Sequence, residues 1–109
     1  MNLKICMPLL LSLVLCLNTS CDKGYQVRFT NYYIEPMDSV IIGNHYIVYD
    51  NVDLQATTEY KKLMAGKHSV LMITKSQKKI SADLIIPSKG SGKRTFQIDA
   101  IEQTVLLED

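Results

Sequence analysis

The amino-acid sequence predicts a small all-β domain, an antiparallel β-sandwich of about seven strands behind a short leader, and three observations carry that prediction. From Tyr25 onward the apolar residues recur mainly at every second position, the period of a strand with one buried face. Clusters of glycine, asparagine, proline and serine break this alternation into short segments. One segment, residues 68–74, is apolar at both parities, as expected of a central strand covered on two sides.

Tyr25, Val27 and Phe29 alternate with Gln26, Arg28 and Thr30 in the first strand. Val40-Ile41-Ile42 and Tyr46-Ile47-Val48-Tyr49 flank Gly43-Asn44-His45, where glycine and asparagine tolerate positive φ, so a hairpin is expected. Residues 57–63 read as a strand on their threonine and tyrosine content, although Tyr60, Leu63 and Met64 also share one helical face with Gly66 as a stop. After the central segment, Lys75-Ser76-Gln77-Lys78 turns the chain. Ile80, Ala82, Leu84 and Ile86 then alternate with Ser81 and Asp83, and Pro87 ends that strand. Residues 88–93 form a polar loop, and residues 95–99 and 103–107 supply the last two strands. Short strands at this spacing suggest an immunoglobulin-like or transthyretin-like sandwich over residues 25–109.

The amino end follows another rule. Lys4 gives a basic start, and residues 5–17 form an apolar run interrupted only by Pro8 and Ser12. That is signal-peptide architecture. The run is shorter than the roughly 20 residues a bilayer-spanning helix needs, and Leu9-Leu10-Leu11-Ser12-Leu13-Val14-Leu15 has no charged face for an amphipathic helix.

The run ends in Leu17-Asn18-Thr19-Ser20-Cys21, which resembles the lipobox read by the lipoprotein-specific signal peptidase. Asn18 stands where that family usually has an aliphatic residue, with Leu17 one place earlier. The resemblance implies removal of residues 1–20, a lipidated Cys21, a tether over residues 21–24, and a bacterial cell-envelope protein held to a membrane by its acyl chains. Each buried methylene adds about 0.8 kcal/mol to such an anchor. Asp22 after the cysteine resembles an inner-membrane retention signal of some Gram-negative bacteria. Cysteine usage agrees with export, because Cys6 and Cys16 leave with the leader and only Cys21 stays. Removing twenty residues from 109 leaves 89, enough for one domain held by its apolar core without a disulfide.

Charge excludes nucleic acid as a partner. Once Lys4 is removed, 11 basic residues face 11 acidic ones, and Lys61-Lys62, Lys75, Lys78-Lys79 and Lys93-Arg94 are scattered among the acids instead of forming a phosphate-neutralising footprint.

Within the domain, Thr57-Thr58-Glu59-Tyr60 followed by Leu63-Met64-Ala65-Gly66-Lys67-His68-Ser69-Val70 resembles a stretch of PEGA-like bacterial surface sandwiches. There, one strand leads through a glycine turn into the next. The resemblance implies fold and brings no catalytic residues.

Catalytic and cofactor signatures are missing from the sequence. His45 and His68 have no partner at metal-ligand spacing, and Asp50-Asn51-Val52-Asp53 lacks the glycine and distal glutamate of a calcium loop. No Gly-x-Ser-x-Gly elbow occurs, and Glu35 with Asp38 is a carboxylate pair of unknown separation. Gly90-Ser91-Gly92-Lys93 lacks phosphate-loop spacing. The expectation is therefore a monomeric, noncatalytic envelope module without a cofactor, binding a protein or a glycan. An inhibitor of a periplasmic enzyme ranks second and a small hydrolase third.

All six tyrosines lie between Tyr25 and Tyr60. Alternation assigns Tyr25 and at least one of Tyr46 and Tyr49 to the core. Tyr32 and Tyr33, in a polar connection, are the expected partner-binding residues, since tyrosine joins a large apolar ring to a hydroxyl.

Overall fold

Alternation in Tyr25-Gln26-Val27-Arg28-Phe29 sends Tyr25, Val27 and Phe29 to one face. In the computed structural model, which describes residues 24–109, that face is core. The segment is strand β1 (Tyr25–Asn31). It is followed by β2 (Met37–Ile42), β3 (Ile47–Val52), β4 (Lys61–Leu63), β5 (Gly66–Thr74), β6 (Lys79–Ile86), β7 (Gly92–Ile98) and β8 (Thr104–Glu108). They form two four-stranded sheets, β4-β1-β7-β8 and β3-β2-β5-β6, packed as a sandwich. The all-β architecture is the expected one, with eight strands in place of about seven.

Five strand pairs are antiparallel, but β1 and β7 run parallel, from Tyr25 opposite Gly92 to Asn31 opposite Ile98. Alternation is the same in either direction, so this pairing leaves no mark on the pattern. It sets Phe29 opposite Phe96, with ring centroids 6.4 Å apart. β1 is thus an interior strand, locked from Tyr25 onward between β4 and β7.

Two expectations change in detail. Within residues 57–63 only Lys61–Leu63 pairs as a strand, while Thr57 makes an isolated bridge to Thr30 and Thr58 N donates to Phe29 O at 2.8 Å. No helix forms there, and Tyr60 lies between the Arg28 and Lys93 cations instead of on a helical face. β5 is central in its sheet, but it is not covered on two sides by the described residues. Its Val70 and Met72 enter the core, whereas Leu71 and Ile73 are half-buried on the outer face, where Leu71 pairs with Ile41 and Ile41 with Val48. Lateral packing of apolar side chains along one row accounts for a strand that reads as doubly buried.

The two sheets are joined through Tyr49. Its ring is buried, and its hydroxyl lies 3.0 Å from the Val27 carbonyl of the opposite sheet and 2.8 Å from that of Glu59. Burial raises its pKa above the ordinary tyrosine value.

Strand directions sort the connections into two ends. The chain enters at Gly24 on the end that also carries the 43–46 hairpin and connections 64–65 and 87–91. Connections 32–36, 75–78 and 99–103 lie at the distal end together with the start of 53–60, from which residues 57–60 run back beside β1.

Candidate functional site at the distal loops

Asn31 is the inward residue that ends β1, and it is fully buried. Its Nδ2 donates toward the carbonyls of Glu35, Val52 and Asp53 at 2.9, 3.2 and 3.3 Å, and its Oδ1 accepts from Tyr33 N at 3.0 Å. Its main chain bonds Ala56 O and Gln55 N. One amide therefore shapes both loops that cross between the sheets at this end. An isolated polar residue continuing the inward series Tyr25, Val27, Phe29 was the available sequence signal, and sequence reasoning missed it.

Further braces run between the loops. Glu35 accepts from Ser76 N and Oγ at 3.0 and 3.1 Å, and Asp38 from Gln77 Nε2 at 2.7 Å. These two acids are thus engaged separately by the 75–78 turn and do not face a common substrate position. The Lys78 ammonium and the Tyr33 hydroxyl both donate to Glu102 Oε2. That lysine contact holds the Glu102 carboxyl below its ordinary pKa and raises Lys78 above its own. Asp99 Oδ1 accepts from Ile101 N and Gln103 N at 3.0 and 2.9 Å, closing the 99–103 loop on itself.

On this braced frame four apolar side chains face solvent. Tyr32 is 50% exposed, Ile34 66%, Leu54 50% and Ile101 71%. Single exposed apolar residues are common on any surface, but several on ordered loops at one end provide area that a partner can bury. Ile34, Leu54 and Ile101 were legible only as lone apolar residues in polar connections.

The expected tyrosine pair divides. Tyr32 is on the surface, but Tyr33 is only 6% exposed and belongs to the core, a correction to its assignment as a contact residue. Tyr32 N is held by Ile98 O and Tyr33 N by Asn31 Oδ1, so the main chain of both residues is fixed where the loop leaves β1. Tyr25 and Tyr49 are core and Tyr46 is exposed. Cys21 and residues 1–20, expected as a leader, lie outside the described residues.

The remaining candidates fall elsewhere. His45 sits in the hairpin turn, where Gly43, Asn44 and His45 all have positive φ. His68 is buried beside that turn, with Nε2 2.7 Å from Met64 O. Among the described residues no three His, Cys, Asp or Glu side chains are grouped as metal ligands. In the 87–91 connection the Tyr25 hydroxyl donates to Lys89 O at 3.1 Å, fixing that loop against the core.

No protein-family profile and no curated protein matches the chain. Among solved structures it is similar to an NMR structure of a protein from Eubacterium rectale, with a TM-score of 0.53 and 10% identity over 80% of this chain and 88% of that one. The likeness concerns the fold alone.

Proposed function

We propose that the chain is a lipid-anchored, noncatalytic binding module of the bacterial cell envelope, attached to a membrane through Cys21 and contacting an envelope protein or glycan through its distal loops. The observation that carries this reading is the exposure of Tyr32, Ile34, Leu54 and Ile101 on loops already ordered by Asn31, Glu35 and Glu102. Pre-ordered loops lose less conformational entropy on binding than flexible ones would, which lowers one of the costs of association. The lipobox-like Leu17-Asn18-Thr19-Ser20-Cys21 supports the anchor, and the start of β1 at Tyr25 leaves a tether of only a few residues.

Photo-crosslinking in intact cells tests the contact surface. A photoreactive residue at position 34 or 101 should give adducts that Tyr32→Ala diminishes, whereas position 48, on the outer face of β3, should give few. Equal adducts at all three positions, or none at the distal pair, would overturn the assignment. The anchor is tested by intact mass of the membrane form: an unmodified amino terminus, or unchanged membrane fractionation of Cys21→Ala, would remove it.

A further inference from the structure

Charge is segregated along the length of the sandwich, in a chain whose formal net charge is only +1. The entry end carries Lys62, Lys67, Lys89, Lys93 and Arg94 against Asp83, Glu108 and Asp109. At the distal end the sign reverses, and the loops and adjoining strand ends hold Glu35, Asp38, Asp53, Asp99 and Glu102 against Lys75, Lys78 and Lys79. Lys67 pairs with Asp83 at 3.8 Å and Arg94 with Glu108 at 3.1 Å. The Lys67 pair is fully at the surface, where such pairs contribute little, whereas Arg94 is largely covered and stacks over the Tyr25 ring.

The basic end also holds an apolar recess of about 520 Å³, with Tyr25, Leu63, Met64, Ile86 and Pro87 in its wall beside Lys62 and Gly24. Met64, on the two-residue β4–β5 connection, is 63% exposed. Cys21 precedes Gly24 by three residues, so an anchor there stands within about 10 Å of the recess at full extension.

We infer that the entry end seats on an anionic phospholipid surface, with Met64 and the rim of the recess in the headgroup layer and the flanking lysines on lipid phosphates. The inference rests on the proposed Cys21 anchor and adds an orientation to it. An acyl chain fixes how far the domain stands from the bilayer but not which face it presents. The basic end and the short tether do the second job, while the acidic distal loops are repelled from the same surface and point outward.

The acylated mature protein, reconstituted in phosphatidylcholine vesicles with or without phosphatidylglycerol, supplies the test. Met64→Cys and Ile101→Cys carry a polarity-sensitive fluorophore, and lipids brominated near the headgroup serve as quenchers. In phosphatidylglycerol vesicles the label at 64 should be quenched several-fold more than the label at 101. Replacing Lys89 and Lys93 by glutamine should lower the seated-to-unseated ratio by about fivefold per lysine, and added salt should lower it likewise. Equal quenching at the two sites, stronger quenching at 101, or indifference to phosphatidylglycerol would overturn the orientation. Intact mass is read first. An unacylated Cys21 defeats the anchor and this inference together, whereas an acylated chain with equal quenching defeats the orientation alone.

Discussion

The side-chain amide of Asn31 donates to the Glu35 carbonyl at 2.9 Å, so the loop that presents Tyr32 and Ile34 is closed from inside by a buried residue of β1. The same amide reaches Val52 and Asp53, so the order of the proposed contact loops and core stability are coupled at one position.

Asn31→Ala should therefore act as a stability mutation with a local signature. It strips partners from three carbonyls and one amide N–H, and with each unsatisfied buried group costing about 1–3 kcal/mol, partly relieved by water at the loop edge, a total loss of about 3 kcal/mol is expected. Urea unfolding measures it. A loss under about 0.5 kcal/mol, the range of an ordinary surface change, would show that the loops hold without Asn31.

Tyr32 and Tyr33 are adjacent in sequence and opposite in expectation. Tyr33→Ala removes a core ring and should cost about 3–5 kcal/mol, while Tyr32→Ala should stay within about 0.5 kcal/mol. Paired thermal melts check this, and similar melting temperatures for the two variants would contradict the burial assigned to Tyr33.

Gly43 is held to glycine by His68. At φ +66° a side chain is already strained, and a Cβ there would stand 2.9 Å from His68 Nδ1 and 3.1 Å from Tyr46 Cδ2. Gly43→Ala should cost about 2 kcal/mol, combining left-handed backbone strain with displacement of the imidazole. In a His68→Ala background the extra cost should shrink toward the strain alone. A double-mutant cycle with no coupling would remove the steric part of the account.

The distal bracing should weaken in acid. In the folded protein the Glu102 carboxyl is held below the ordinary glutamate range, chiefly by the hydrogen bond from Lys78. A depressed carboxyl pKa contributes stability that is fully present above the unfolded value and is lost as pH falls through the folded one. Because the group is solvent-screened, the effect should be modest. Glu102→Gln should lower the melting temperature near neutrality, and the gap between variant and wild type should close as pH drops below the ordinary carboxylate range. A gap that persists unchanged in acid would assign the effect to something other than the charge.

The amino-acid sequence by itself determined what depends on local pattern. Alternation in β1 and β6 specified strands and their inward faces, and Gly43-Asn44-His45 specified the hairpin through its tolerance of positive φ. Tertiary structure alone decided what depends on partners distant in the chain. A strand's pattern does not record its neighbour's direction, so the parallel match of β1 with β7 was open until the sheet closed. A tyrosine in a polar loop carries no mark of its exposure, and Tyr33 became core only because Asn31 and Glu102, one near and one 69 residues away, accept its N–H and its hydroxyl proton. The charge separation between the two ends is likewise invisible along the chain, where lysines and acids interleave. It arises because residues distant in the chain, such as Lys62, Lys89 and Lys93 at one end and Glu35, Asp53 and Glu102 at the other, are gathered only when the strands stack into sheets.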